Sequence, residues 1–344
     1  MQYDLVVLGG GIIGLASAWT LSEKGLKVAL VERDSLNSGT SHICGGMLAP
    51  NAEASFTEPD LLSASRQSLA LWKDFRENLE SVSGQNIGYR SEGTLMIALE
   101  RDDVLKLEHA KKQHDALGLK TQILSADAAR EREANLSPRV LRALFCGDHQ
   151  VDPPLVMDAL SKACKISGVD FFEHAGEPEI EDHCLRFQDK EIKYASLLIC
   201  TGARRVKRKD APVIKPIKGQ MVVLDMPTPL CEHVIRAPDA YIVPKASRLL
   251  IGATMEEMGF QDGNRAGSVM DLLVGAWEAM PAIYDLDIET LATGFRPVAP
   301  TSMPILKQSE YEKHVFYATG HGRNGVLLTP WTAKYISELV LKSL

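Results

Sequence analysis

The sequence predicts an α/β fold in two domains, one built on a parallel βαβ unit and the other an inserted antiparallel sheet. Three observations predict it. The first is the opening run, Tyr3-Asp4-Leu5-Val6-Val7-Leu8 followed by Gly9-Gly10-Gly11-Ile12-Ile13-Gly14, an apolar strand that breaks into glycines before a helix. The second is length, since 344 residues exceed what one hydrophobic core usually serves. The third is texture: the stretches 84–141 and 213–292 are rich in short extended runs, lack any glycine fingerprint and read as insertions.

The opening unit has a specific physical reading. Leu15 to Leu21 continue with small and apolar residues at helical spacing, Gly25-Leu26-Lys27 ends the helix, and Val28-Ala29-Leu30-Val31-Glu32 is a second strand closed by a carboxylate. Gly9 allows a tight turn, Gly11 lets the backbone approach a pyrophosphate, and Gly14 lets helix and strand pack closely. The pyrophosphate would rest on the N–H groups and positive end of the helix N-terminus. Glu32, eighteen residues after Gly14, is placed to accept hydrogen bonds from a ribose. A Rossmann-type dinucleotide site is expected here.

Charge and composition exclude other classes. Lys and Arg number 38 against 45 Asp and Glu, a formal charge of -7, which argues against nucleic acid as a partner. Residues 5–21 are apolar, but no positive segment precedes them and glycines interrupt them, so a buried strand and helix are expected rather than a signal or membrane segment. Six cysteines at 44, 146, 164, 184, 200 and 231 form no C-x-x-C pair, which points to a reducing cytoplasm and not to a disulfide framework. The histidines are scattered, and adjacent His183 and Cys184 would face opposite ways on a strand, so no metal site is expected.

The remaining elements follow in order. Arg33 to Ser41, including Asn37, is a polar loop, and the glycines of His42-Ile43-Cys44-Gly45-Gly46-Met47-Leu48 mark backbone packed close to something large. A helical stripe covers 60–80, with Asp60 as a candidate cap; strands around 84–90 and 93–98 and helices at 101–117 and 125–134 fill the first insertion. Leu144 to Pro154 is expected as a turn-rich connection, followed by a helix over 154–167 that tolerates Pro154 in its first turn. Strands at 170–174, 184–188 and 192–200 come next, the last stopping at Thr201-Gly202-Ala203, a candidate second contact with the ligand. Arg204-Arg205-Val206-Lys207-Arg208-Lys209 reads either as a solvated loop or as a basic patch attracting an anionic substrate or acidic partner. In the second insertion Gly219–Leu224, Tyr241–Pro244 and Leu249–Met255 are extended and 267–279 is a helix. The chain closes with a strand at 315–320, the glycine-rich loop His321-Gly322-Arg323-Asn324-Gly325, and a helix that Thr329 would cap with Pro330 first inside it.

Taken together, these residues resemble the D-amino-acid oxidase family of FAD-dependent amine and amino-acid oxidoreductases, nearly end to end. The resemblance is carried by GGGIIG with Glu32, Thr40-Ser41, Gly46-Met47-Leu48, Lys218-Gly219, Tyr241-Ile242-Val243-Pro244, Gly252-Ala253-Thr254-Met255, Gly294-Phe295-Arg296-Pro297 and Gly320 to Gly325. It implies an FAD domain from 1–83, 142–212 and 293–344, and a substrate domain from 84–141 and 213–292. It implies FAD contacts at Gly9, Gly11, Ile12, Ile13, Gly14, Glu32, Arg33, Thr40, Ser41, Gly46, Met47 and Leu48. Further contacts are implied at Glu177, Thr201, Gly202, Gly322, Arg323, Asn324, Gly325, Val326 and Leu327. Arg296 matches the arginine that holds the substrate carboxylate, Tyr241 the hydroxyl beside it, Met255 a pocket wall, and Arg323 a residue of the loop over the flavin. A planar guanidinium suits bidentate grip of a carboxylate; a structural salt bridge is the other reading of Arg296.

The activity implied is oxidative deamination of glycine or another small (D-)amino acid or amine. Hydride would pass from the α-carbon to flavin N5, giving an imino acid and, with dioxygen, hydrogen peroxide, as in thiamine thiazole synthesis. A D-amino-acid dehydrogenase with another electron acceptor, and a non-catalytic flavoprotein module, are the alternatives. Family members often form homo-oligomers. Two departures stand out: Arg204-Arg205 replace the common Trp-Ser, and Val298 to Pro304 lack the cysteine that tethers flavin in some relatives, so non-covalent FAD is expected.

Overall fold

The computed structural model describes residues 1–36 and 38–343; Asn37 of the expected polar loop and Leu344 lie outside the described residues. Strand Gln2–Leu8 forms the middle of the first sheet. Its Leu5 and Val7 join the core beneath one face, and Val6 and Leu8 join the core on the other. Both faces are covered, so the strand is apolar without alternation, as buried parallel strands are.

The main path across this sheet runs Ile305–Gln308, Val315–Thr319, Lys190–Ile199, Gln2–Leu8, Val28–Val31, Asp170–Phe172. The last five are parallel to their neighbours and the first is antiparallel. Helices Ile12–Ser22, Pro59–Ser83, Pro153–Ile166 and Thr329–Leu341 contribute to the core on one face. Strand order reverses about Gln2–Leu8, because the chain leaves it toward Val28–Val31 on one side and later returns as Lys190–Ile199 on the other. The crevice beyond Leu8 and Ile199 is therefore the place where such sheets take a ligand.

The second sheet has the order Ile288–Val298, Lys215–Asp225, Arg248–Gly252, Tyr241–Pro244, Val234–Arg236, Thr94–Ala98, Arg142–Cys146, Thr121–Ser125. All neighbours are antiparallel except Val234–Arg236 with Thr94–Ala98. Leu272, Ala276 and Ala279 of helix Ala266–Ala279 pack with Val222, Leu249 and Ile251 in its core. A two-stranded ribbon, Met47–Leu48 with His149–Gln150, lies between the sheets. Buried Lys245 ties it to the second sheet, its Nζ donating to Gln150 Oε1 (2.9 Å) and Val151 O (2.6 Å).

Several local expectations need correction. Residues 144–146 are not a turn but part of strand Arg142–Cys146, paired on both sides by second-sheet strands, five residues beyond the expected boundary at 142. Strand Ile288–Val298 likewise runs through the boundary at 292/293, because its register with Lys215–Asp225 is nearly continuous. Residues 84–89 are not a strand; only Arg90 bridges, to Gln150. Glu58, not Asp60, precedes the long helix, with Pro59 at its start. Leu328 precedes the last helix, and Thr329 sits inside it, its Oγ1 donating to Gly325 O at 2.8 Å. His183 occupies a turn at φ 53°, not a strand.

Candidate functional site

One cavity of about 940 Å³ extends from the crevice beyond the first sheet to the face of the second, at the upper end of ligand-site volumes. At its first-sheet end the wall is glycine backbone. Gly9 adopts φ +111°, and a Cβ there would stand 2.5 Å from Cys200 O; a Cβ on Gly14 would stand 1.9 Å from Gly9 O. The N-cap of helix Ile12–Ser22 is Gly11, which has no side chain to cap it, and Gly11, Ile12 and Ile13 border the cavity, so the helix dipole and remaining amides are open to a ligand there. Ile12 N donates to Ser41 Oγ at 3.1 Å. Glu32 Oε2 accepts from Gly10 N (2.6 Å) and Oε1 from Asp34 N (3.0 Å), which fixes the carboxylate at the wall.

Most of the residues expected at this end do border the cavity: Gly9, Gly11, Ile12, Ile13, Glu32, Arg33, Thr40 and Ser41, then Gly46 and Met47, then Glu177, Thr201 and Gly202. So do Gly322, Arg323, Asn324, Gly325 and Val326 of the closing loop. Three do not. Gly14 is consumed by helix–strand packing. Leu48 is fully buried in the first core. Leu327 is buried too, its carbonyl accepting from Ser68 Oγ (2.6 Å) and Trp72 Nε1 (2.9 Å). The glycine cradle, the helix N-terminus, the carboxylate at the wall and the volume of the cavity together fit a flavin dinucleotide.

At the second-sheet end the wall is side chains placed by strand register. Tyr241 pairs with Gly252, and its ring lies against that glycine, whose Cβ would be 2.6 Å from the phenol oxygen. Burial pushes the Tyr241 phenol up to about 12, with nearby Arg296 pulling the other way. Arg296 crosses Gly219, where a Cβ would meet Nη1 at 2.5 Å, and its Nη1 donates to Thr254 O at 2.9 Å. Strand Ile288–Val298 is fastened to the first sheet's loops by Thr40, whose Oγ1 accepts from Phe295 N (3.0 Å) and donates to Phe295 O (3.2 Å). Gly294 lets the Ile43 side chain lie close, since a Cβ would stand 2.9 Å from its Cδ1 and push it aside. Met255 borders the cavity but is 73% exposed, an open rim more than a wall.

Two features escaped the sequence. Arg323 is not a free cation over the cavity. Its Nε meets Glu53 Oε2 at 2.6 Å and its Nη2 meets Glu58 Oε2 at 3.3 Å, while Arg236 Nη1 meets Glu53 Oε1 at 2.9 Å. Burial alone would push the Glu53 carboxyl up, but the two guanidiniums hold it below the usual range. Glu53 is held in place from behind by Asp148, which accepts from Asn51 N (3.0 Å) and Ala52 N (2.9 Å). The second feature is His321, also bordering the cavity and buried, where burial drives the imidazole down to about 3; its Nε2 lies 3.0 Å from Thr332 Oγ1. It is neutral at physiological pH. Neither Glu53 nor Arg236 belongs to a contiguous motif, and only their ion pair reveals them.

The basic run divides between its two readings. The Arg208 side chain is largely buried, with Nη2 2.9 Å from Glu312 Oε1 and Nε 3.1 Å from the Tyr317 hydroxyl. Arg204 lies over the Phe260 ring at 4.5 Å and borders the cavity with Arg205 and Lys207, adding cations near its mouth.

A glycine cradle facing a carboxylate-sized cation defines a dinucleotide-dependent oxidoreductase. Residues 4–339 match the FAD dependent oxidoreductase family, and the chain belongs to it, with FAD as its cofactor. It is 31% identical to the glycine oxidase of Geobacillus kaustophilus over 98% of this chain and 93% of that one. It is 30% identical to the bifunctional protein ThiO/ThiG of Nostoc, covering 99% of this chain but 53% of the larger protein, about half its length. The crystal structure of glycine oxidase from Geobacillus kaustophilus superposes with a TM-score of 0.92 at 29% identity, over 99% of this chain and 95% of that one. No helix among the described residues is long and apolar enough to cross a membrane.

Proposed function

We propose that this protein oxidatively deaminates glycine or another small amino acid, releasing an imino acid and hydrogen peroxide. The observation that carries the reading is the Arg296 guanidinium beside the Tyr241 hydroxyl at the far end of the cavity that begins in the glycine cradle. Arg296 would take the substrate carboxylate, with its Nη1 held by Thr254 O so that the fork is aimed before substrate arrives. Tyr241 keeps its proton at neutral pH, because burial raises its pKa, and would donate it as a hydrogen bond to the same carboxylate. Bound FAD would supply the acceptor for the hydride, which carries both electrons away from the α-carbon. Glu53 is held ionised by two arginines, so it would not take the amine proton, which passes to solvent. The residues that would hold FAD are the backbone at Gly9 to Ile13, Glu32, Ser41, Thr201–Gly202 and the loop 322–326.

We further propose that the strands of the first sheet form the FAD domain and those of the second the substrate domain, with the Arg236–Glu53 pair fastening one to the other. Likeness to glycine oxidase and to the ThiO/ThiG protein supports glycine as substrate and thiamine thiazole synthesis as its setting. Anaerobic bleaching of the flavin by a panel of glycine, sarcosine, D- and L-amino acids and hydroxy acids tests the reading. Glycine or a small D-amino acid should bleach it fastest, and air should restore the colour with peroxide formed. Bleaching by hydroxy acids alone would overturn it, and slow recovery in air would move the assignment to a dehydrogenase.

A further inference from the structure

Just beyond the segment 176–180 that lines the cavity, the first sheet brings two histidines and a carboxylate together. Asp182 and His183 form the turn between strands Glu179–Glu181 and Cys184–Phe187, and His314 precedes strand Val315–Thr319. Cys184–Phe187 and Val315–Thr319 pair with opposite ends of Lys190–Ile199. Between those pairings His183 O accepts from Tyr194 N (3.1 Å) and His314 O from Leu197 N (2.8 Å). The two imidazoles stack, centroids 3.8 Å apart at 23°.

We propose that Asp182, His183 and His314 bind a divalent transition-metal ion of the zinc class, which joins these two strand segments. His183 Nδ1 lies 3.0 Å from Tyr194 O; a carbonyl can only accept, so the Nδ1 carries the proton and the Nε2 lone pair is free. A ring N–H given to a backbone carbonyl is the usual support of a metal-binding histidine. His314 Nε2 is buried and has no hydrogen-bond partner among the described residues. Asp182 Oδ1 lies 3.9 Å from His183 Nε2 and 3.7 Å from His314 Nε2. A tetrahedral ion with bonds of about 2.1 Å has edges of about 3.4 Å and lies in the plane of each ring that binds it, so His314 must turn out of the stack while His183 stays anchored on Tyr194 O. Two imidazole nitrogens and one carboxylate select zinc-like ions over magnesium or calcium.

Water would supply the fourth ligand. Glu312 Oε2, 3.5 Å from His314 Nε2, is placed to hydrogen-bond it, and Arg208 holds the other Glu312 oxygen at 2.9 Å. This gives the buried arginine of the basic run a place in the site. Asp182, His183 and His314 do not line the cavity, so the ion would be structural and not a participant in oxidation.

The test uses FAD-loaded, chelator-treated protein titrated with zinc chloride by calorimetry. One ion per chain should bind with micromolar or tighter affinity and raise the melting temperature. Asp182→Asn and His183→Ala, both at exposed positions, should weaken binding at least tenfold while flavin content and turnover stay at wild-type values. Glu312→Gln should weaken it about tenfold. Absence of a saturable site, or binding unchanged in Asp182→Asn and His183→Ala, would overturn the proposal.

Discussion

At the dinucleotide end of the cavity the wall is backbone from neighbouring residues, whereas at the substrate end it is side chains from strands far apart in the chain. Gly9, Gly11, Ile12 and Ile13 lie within one turn, and their contribution is space and peptide dipoles. Tyr241, Arg296, Arg236, Glu53 and Arg323 come from four separate stretches and meet only because two sheets are docked. The first end should tolerate no added atom, while the second should tolerate changes of shape but not of charge.

That contrast is broken most severely by Gly14→Ala. The new Cβ would stand 1.9 Å from Gly9 O, with no flexible group to yield, and overpacking of this kind costs about 3 kcal/mol or more. Purified variant should carry little flavin and melt well below wild type; a normal yellow holoprotein would show that the cradle yields. Arg296→Ala tests the other end. Flavin content should be unchanged, while kcat/KM for amino acids falls roughly a hundredfold, about 3 kcal/mol of lost charged hydrogen bonds. Unaltered turnover would remove Arg296 from the site.

Glu53→Gln separates charge from shape. Its two arginines lose their shared anion, which should cost about 2 kcal/mol of stability. Because the folded-state pKa of Glu53 lies below the unfolded value of about 4.3, its stabilisation is present above that value and lost as pH falls through the folded one. Wild type should therefore lose more of its melting temperature on acidification toward that range than the variant does; parallel curves would mean that Glu53 is not held ionised. Smallest is Tyr241→Phe. Within the protein the hydroxyl meets only Met221 Sδ, at 3.8 Å, so stability should hardly change, and loss of one substrate hydrogen bond of about 1 kcal/mol should raise KM roughly fivefold. A melting point far below wild type would show that the hydroxyl is structural.

The sequence disclosed the cradle because every residue that builds it is local: strand, turn, helix and acid follow one another from 3 to 32. The helices at 101–116 and 266–279 were equally legible from their periodicity. Legibility failed where long-range pairing decided the outcome. Residues 142–146 carry turn-like neighbours, yet two flanking strands draw them into the second sheet. Leu48 and Leu327 sit in family-like motifs beside residues that face the cavity, but strand alternation turns Leu48 into the core, and Leu327, in the turn before the last helix, packs into the same core. Arg323 was visible as a cation of the closing loop; that Glu53 and Glu58 hold it depends on 270 and 265 residues of intervening chain.

Sequence alone determined the strand, glycine turn and helix of Gly9 to Glu32, because glycine geometry and a helix terminus act over a few residues. It also named Tyr241 and Arg296 through resemblance. Only the tertiary structure decided what surrounds them: Gly252 and Gly219 making room, Thr254 aiming the guanidinium, and Glu53 joining two arginines. Register and sheet docking set those contacts, and neither is a local property of the chain.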